Sequence, residues 1–161
     1  MMKKALTFLT AGLAGLLFWA SLAFAGEVNT ENFSLSLPSG WELAQPVQSS
    51  HGASMVMVQN TAAQCAVSIA LFPISLSAAD LASQTLANMK VGGFTVAEPR
   101  ASGDSYLCEF SQDQTKGICY FTSNGKSGSV VTIVGSGMEA AKELLNKHFR
   151  PTAPGLFPAS F

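Results

Sequence analysis

Hydrophobic and polar residues alternate strictly from Phe33 to Leu37, and the run stops at Pro38-Ser39-Gly40. This pattern predicts a half-buried β-strand followed by a turn. Two more runs rich in β-formers, at 54–59 and 66–72, predict a pair of strands joined by a polar turn. Pro73 ends the second of them, because proline cannot donate to a strand ladder.

Apolar residues recur at helical spacing in two later segments. The first predicted helix, near 77–90, begins at Ser77 with an acidic residue three positions later. The second, near 137–149, begins in the same way at Ser136. Both starts have capping-box spacing, in which the serine side chain accepts a hydrogen bond from a free N–H of the first turn.

A hairpin and a central strand lie between the two predicted helices. The runs 106–110 and 118–122 flank the polar, glycine-ended segment 111–117, which is typical of a hairpin. The segment 129–134 is apolar on both faces, which predicts a strand in the middle of a covered sheet. A short strand at 94–96 precedes the hairpin. This order of elements indicates an α+β sandwich with a mainly antiparallel sheet.

The N-terminus has the features of a secretory signal peptide. Lys3 and Lys4 precede a long uncharged apolar run that ends in Ala23-Phe24-Ala25, and polarity returns at Gly26. Small residues at this spacing predict cleavage after Ala25. An uncleaved membrane anchor is the alternative, because the run approaches the length that spans a bilayer.

Removal of residues 1–25 leaves one predicted domain at 26–150 and a proline-punctuated tail at 151–161. Two of the nine basic residues leave with the signal, so seven remain against ten acidic ones and the net charge is near −3. Such a balance disfavours nucleic-acid binding, which needs clustered basic charge. It also disfavours docking on anionic lipid by charge alone.

The chain has three cysteines. Because the protein is expected to be exported, they should lie in an oxidising compartment, where neighbouring thiols tend to pair. Cys108 and Cys119 lie on the two strands of the hairpin and share one face if the register is odd, so a cross-strand disulfide is predicted. Cys65 is predicted to be a buried, unpaired thiol. Cys-x-x-Cys spacing, which is typical of redox catalysis, is absent from the sequence.

Candidate reactive groups are few. His51 and His148 lack a second ligand at metal-binding spacing, and the acidic residues are scattered singly. Ser136 sits between a strand and a helix but lacks the Gly-x-Ser-x-Gly spacing of a nucleophile, so helix capping is the favoured interpretation. The sequence therefore predicts no catalytic residues, no metal site and no cofactor.

Two apolar sets have more than one interpretation. The tail residues Leu156, Phe157 and Phe161 either fold back onto the domain, which is favoured, or bind a partner. A second set is suited either to the core or to a small-molecule pocket, and the core is favoured. Its members are Trp41, Met55, Met57, Phe72, Phe94, Phe110 and Phe121.

The chain resembles the PsbP-like superfamily, which includes the extrinsic PsbP subunit of photosystem II, the Ran-binding Mog proteins and DcrB-type envelope proteins. The resemblance is carried by the opening Phe33-Ser34-Leu35-Ser36-Leu37-Pro38-Ser39-Gly40-Trp41, the helix entry at Leu76-Ser77, the central hairpin, and the final strand that leads through Gly135 into the helix ending at Phe149. It implies an α/β/α sandwich and a protein that binds other proteins and does not catalyse reactions.

Together these observations predict an exported, periplasmic or extracellular, non-enzymatic module that binds another envelope protein. A carrier of a small molecule or lipid is the alternative. No stable membrane insertion is expected after the signal has been removed.

The mature protein is predicted to start at Gly26, because the small residues and the end of the apolar run coincide only there. N-terminal sequencing of protein isolated from cell fractions checks this. Recovery of a membrane-bound chain that still begins at Met1 or Met2 would contradict it.

Overall fold

The computed structural model describes residues 26–161, so the predicted signal peptide lies outside the described residues. Twelve strands and two helices follow one another along this part of the chain. In order they are β1 (Gly26–Asn29), β2 (Phe33–Leu37), β3 (Glu42–Leu43), β4 (Gln48–Ser50), β5 (Ala53–Asn60), β6 (Cys65–Pro73), α1 (Ala78–Val91), β7 (Thr95–Val96), β8 (Arg100–Ser102), β9 (Ser105–Gln112), β10 (Thr115–Ser123), β11 (Ser127–Gly135), α2 (Met138–His148) and β12 (Phe149–Pro151).

The strands form two antiparallel sheets. The larger has the order β3-β5-β6-β11-β10-β9-β7, with β4 also paired to β5 and β8 to β9. The smaller has the order β1-β2-β12. The α+β class and the mainly antiparallel sheet are therefore confirmed, and β11 takes the central position predicted for the segment 129–134. The smaller sheet was not predicted, because β1 and β12 are short and lack a regular alternation.

Two hydrophobic cores lie on opposite faces of the larger sheet, because successive side chains of a strand alternate between faces. In β10, for example, Ile118 and Tyr120 belong to one core, whereas Cys119 and Phe121 belong to the other. The α1-side core includes Leu81, Leu86 and Met89 of α1. The α2-side core combines α2 with the smaller sheet and the tail.

Helix α1 starts as the sequence predicts. The Ser77 hydroxyl accepts a hydrogen bond from the Asp80 N–H at 3.1 Å and donates one to the Asp80 carboxylate at 2.7 Å. A glycine on β11 lets the helix approach the sheet closely, since a Cβ at Gly128 would lie 2.9 Å from Leu81 Cδ2. The cap therefore sets where the helix begins, and Gly128 sets how near it packs.

Helix α2 starts differently from the prediction, because Ser136 does not cap it. The N-cap is Gly137, which makes no side-chain cap bond, and the Ser136 hydroxyl instead donates to Gln64 Oε1 at 3.0 Å. A side chain at Gly137 would collide with the Ala63 carbonyl oxygen. The turn between β5 and β6 thus occupies the space beside the start of α2 and draws Ser136 away from the helix.

The hairpin turn is tighter than predicted. It consists of Asp113 and Gln114 between the paired residues Gln112 and Thr115, so Gly117 lies inside β10 and not in the turn. The Phe110 ring covers Gly117 and leaves no room for a Cβ there. The sequence predicts a loop over the whole of 111–117 because polar residues outnumber apolar ones there.

The C-terminal tail folds back onto the domain, which was the favoured interpretation. Leu156 and Phe157 are buried in the α2-side core, and the Ser129 hydroxyl donates to the Leu156 carbonyl at 2.5 Å. The Phe161 ring packs edge-on against Tyr120 at 5.2 Å. The boundary predicted at residue 150 falls inside β12, so the tail continues directly from a strand of the fold.

Replacing Leu156 with alanine should lower the free energy of unfolding by about 2–5 kcal/mol, because it empties a fully buried site. Urea denaturation of the variant and the parent protein measures the difference. Val91→Ala is the control, since Val91 is 90% exposed and its loss should change stability by less than about 0.5 kcal/mol. Equal effects at the two positions would mean that the tail does not contribute to the core.

Candidate functional site

One row of side chains crosses the α1-side face of the larger sheet. Adjacent strands pair these residues directly, so the row runs from near one edge of the sheet to the other side of its centre. Its members are Met57, Ser68, Thr132, Cys119 and Cys108. The row brings together the sulfur-bearing residues of three strands, β5, β10 and β9, and it is the chemically most distinctive feature of this face.

Cys108 and Cys119 face each other across β9 and β10, as the predicted disulfide requires, but the bond is absent from the structure. All three cysteines are free thiols. The Cys108 thiol donates to the Ala97 carbonyl at 3.0 Å, beyond β9, whereas the Cys119 thiol lies 3.4 Å from Thr132 Oγ1 on β11. The two sulfurs thus lean towards opposite neighbours, and pairing would require both side chains to turn inward. The disulfide stays a prediction, which peptide mapping under non-reducing conditions decides.

Burial keeps these thiols protonated. Desolvation raises the pKa of Cys119 to about 12, and the neighbouring Cys108 adds to this, although the hydrogen bond with Thr132 acts in the opposite direction. Desolvation also raises the pKa of Cys108, against the lowering effect of its bond to Ala97, and it raises the pKa of Cys65. Since the thiolate is the nucleophilic form, nothing here activates a cysteine for catalysis.

Cys65 does not belong to the row. It is buried in the α2-side core, on the opposite face of the sheet from Cys108 and Cys119. The prediction that Cys65 is buried is therefore confirmed, and its unpaired state stays a prediction.

The remaining polar candidates are dispersed. His51 lies in the exposed turn between β4 and β5, where its Nδ1 is 2.7 Å from the Ser50 hydroxyl. His148 ends α2, and Ser136 is bonded to Gln64. Within residues 26–161 there is no group of three His, Cys, Asp or Glu side chains that could hold a metal ion.

The residues considered for a small-molecule pocket are not brought together. Trp41 is part of the α2-side core, whereas Phe72, Phe110 and Phe121 are part of the α1-side core. Phe94 packs edge-on against Phe110 at 5.7 Å. These aromatic rings fill two separate cores and do not line one cavity.

A surface patch at one edge of the larger sheet was missed by sequence reasoning. We call it the edge patch, and it comprises the two exposed apolar residues Leu43 and Val47 of the outer edge segment. Leu43 is 38% and Val47 40% exposed, which is unusual for large apolar side chains in this protein. Both lie on the segment that runs along the outer side of β5.

The edge patch is irregular because the outer strand is interrupted. β3 pairs with the end of β5 and β4 with its start, and between them the Ala44 N–H still donates to the Met57 carbonyl at 2.9 Å. Pro46 lies in the interruption and cannot donate to a neighbouring strand. Interruptions and prolines of this kind limit edge-to-edge pairing between sheets. The edge therefore presents side chains to solvent and no continuous row of unpaired backbone N–H and C=O groups.

Two methionines of β5, Met55 and Met57, converge on a single polar atom of the edge segment. Gln45 Nε2 is 2.9 Å from Met57 Sδ and 4.0 Å from Met55 Sδ. The Met-x-Met spacing in β5 is visible in the sequence and puts both side chains on one face. Their contact with Gln45 could not be predicted, because it depends on how the edge segment is placed.

The free energy of unfolding of the reduced protein should fall as the pH rises from about 8.5, where an unfolded cysteine ionises, towards the pKa of about 12 for Cys119. The unfolded chain loses the thiol proton in this window while the folded chain keeps it, so Cys119 contributes a slope of up to about 1.4 kcal/mol per pH unit. In Cys119→Ala, the fall should be shallower by that amount. Denaturation at several pH values compares the two, and parallel curves would contradict the shift.

No helix in the described part of the chain has the length and apolar character needed to cross a membrane.

The sequence matches no described protein family and no curated protein. A crystal structure of a protein from Bacteroides thetaiotaomicron VPI-5482 aligns with 78% of this chain at 17% identity and a TM-score of 0.38. The alignment covers 47% of that protein, so the chain spans less than half of its length. A likeness at this level assigns neither a family nor a function.

Proposed function

We propose that the mature chain is an exported, non-enzymatic module that binds another protein of the cell envelope through the edge patch. The observation that carries the proposal is the distribution of exposed apolar side chains. Three large hydrophobic residues are exposed in residues 26–161, and two of them, Leu43 and Val47, lie in the same edge segment. Apolar groups clustered on a surface and rimmed by polar residues are typical of protein–protein contacts.

The surroundings of the patch favour a polypeptide partner. The adjoining strand β4 is exposed along its length and polar, with the sequence Gln48-Ser49-Ser50, which provides the hydrogen-bonding rim of such a contact. Because Pro46 interrupts the edge, we expect the partner to contact side chains and not to add a long strand.

We further propose that the domain is an α/β/α sandwich of the PsbP-like type. Helix α1 and helix α2 belong to cores on opposite faces of the larger sheet, which supports this arrangement. The smaller sheet shares the α2 side and is an addition to a plain three-layer sandwich. The resemblance in sequence supports protein binding as the function of this type.

The tail is not part of the proposed binding surface. Leu156 and Phe157 are buried in the α2-side core, and the Phe161 backbone pairs with the side-chain amide of Asn146 through two bonds of 3.0 Å. Binding a partner through the tail would first require these contacts to break. The exposed Leu43 and Val47 need no such rearrangement.

A photo-crosslinking amino acid placed at residue 43 or 47 should capture the same partner in the native envelope, as identified by mass spectrometry. Residue 91 is the matched control, because Val91 is also a large exposed apolar residue but lies at the end of α1. We expect no such adduct there. Equal capture at residue 91, or no adduct at either edge position, would contradict the proposal.

A further inference from the structure

We infer that Cys108 and Cys119 form a redox switch that controls how firmly the segment 97–99 is held to the edge of the larger sheet. In the reduced state the Cys108 thiol bonds to this segment, and in the disulfide state that bond is lost. The switch lies at the opposite edge of the sheet from the edge patch, so it is independent of the proposed protein partner.

The first part of the switch is an interruption of the outer strand. β7 ends at Val96 and β8 begins at Arg100, and both strands pair with β9. Val96 lies opposite Phe110, whereas Arg100 lies opposite Leu107. The outer strand therefore has one residue more than β9 across the gap, as in a β-bulge. The segment 97–99 lacks the regular strand pairing of its neighbours on either side.

The second part is the Cys108 thiol, which bonds to the interrupted segment. It donates to the Ala97 carbonyl at 3.0 Å and lies 3.2 Å from the Glu109 carbonyl. The Ala97 N–H in turn donates to the Glu109 carbonyl at 2.9 Å. Ala97 is thus joined to β9 through both of its backbone groups, and one of the two bonds depends on a thiol hydrogen.

The third part is Cys119, which lies directly opposite Cys108 on β10. Its thiol is 3.4 Å from Thr132 Oγ1, so each thiol has a different neighbour in the reduced state. Disulfide formation removes the hydrogen from both sulfurs, and it also requires Cys108 Sγ to turn away from Ala97 towards Cys119. Oxidation therefore removes the bond to the Ala97 carbonyl.

The oxidant of the switch is a low-molecular-weight disulfide. One cysteine thiolate attacks this disulfide and displaces a thiolate, and the other cysteine then attacks the mixed disulfide and displaces the second thiolate. The protein loses two protons and two electrons, and the oxidant becomes two thiols. Cys108 and Cys119 are each 1% exposed, so the oxidant needs the adjoining segment 97–99 to open. Opening and oxidation then favour each other by the same factor.

Hydrogen exchange of single backbone amides, measured by NMR, tests the switch in the mature protein before and after treatment with oxidised glutathione. Peptide mapping first verifies the linkage of Cys108 to Cys119. We expect the Ala97 amide to exchange about three- to tenfold faster in the disulfide form, which corresponds to the loss of one weak hydrogen bond. Ala44 is the matched control, because its N–H also donates across an interrupted edge, to the Met57 carbonyl at 2.9 Å. Its exchange rate should not change.

Two variants separate the hydrogen bond from the cross-link. Cys108→Ala removes the donor, so its Ala97 amide should exchange about as fast under reducing conditions as in the oxidised parent protein. Cys108→Ser keeps a donor but cannot form the disulfide, so its Ala97 amide should exchange more slowly than in Cys108→Ala and should not respond to glutathione.

Three results would overturn the switch. They are the absence of a Cys108–Cys119 linkage after oxidation, equal exchange of the Ala97 amide in the two redox states of the parent protein, and equal exchange in the alanine and serine variants. The comparison of redox states does not depend on a variant that folds. Because no partner protein is present, each of these results leaves the crosslinking prediction unaffected.

Discussion

Strand β11 is the constraint on which the rest of the structure depends. It is buried along nearly its whole length and is paired on both sides, with β6 and with β10. A strand that is apolar on both faces is stable only when both faces are covered. Helix α1 covers one face, and α2, the smaller sheet and the tail cover the other.

The register of β11 follows from the same constraint. A shift by one residue would exchange the faces of Val130 and Val131, which now belong to different cores. It would also move Gly128 from beneath Leu81, where no larger residue fits. The close approach of α1 and the division into two cores are thus specified together.

In the row of sulfur and hydroxyl groups, burial determines whether a side chain can ionise and react. Within the row Cys119 is fully buried, and desolvation opposes the charged thiolate there. Its end, at Met57, lies beside the interrupted edge, and a thioether has no proton whose pKa burial could shift. The same strand alternation therefore puts two thiols, whose ionisation burial opposes, and one thioether, which does not ionise, on one face of the sheet.

The edge segment and the tail differ in solvent exposure from what their composition suggests. The tail is rich in proline and aromatic residues, yet Phe157 contacts Phe149 at 4.8 Å within a core. The edge segment contains fewer large apolar residues, yet Leu43 and Val47 stay exposed. A free surface is thus defined by what the rest of the chain leaves uncovered, and composition alone does not reveal it.

The sequence by itself determined the elements whose cause is local. The alternation at Phe33–Leu37, the cap at Ser77 and the two-faced apolar run of β11 each depend on neighbouring residues, so they predicted two strands, one helix start and the centre of the sheet. Strand periodicity put Cys108 and Cys119 on one face only on the condition of an odd register, and the two-residue turn at Asp113 and Gln114 supplied that register.

Only the tertiary structure decided the features that depend on residues distant in sequence. The turn around Ala63 lies beside the start of α2, and Ser136 bonds to Gln64 in place of capping the helix. The Phe110 ring fills the space above Gly117, so this residue lies inside a strand and not in the turn. Ala97 and Thr132 drew the two thiols apart, and the edge segment placed Gln45 against Met55 and Met57. These contacts join segments that local periodicity cannot relate, because their geometry is set by how the sheet stacks and not by the order of residues within any one strand.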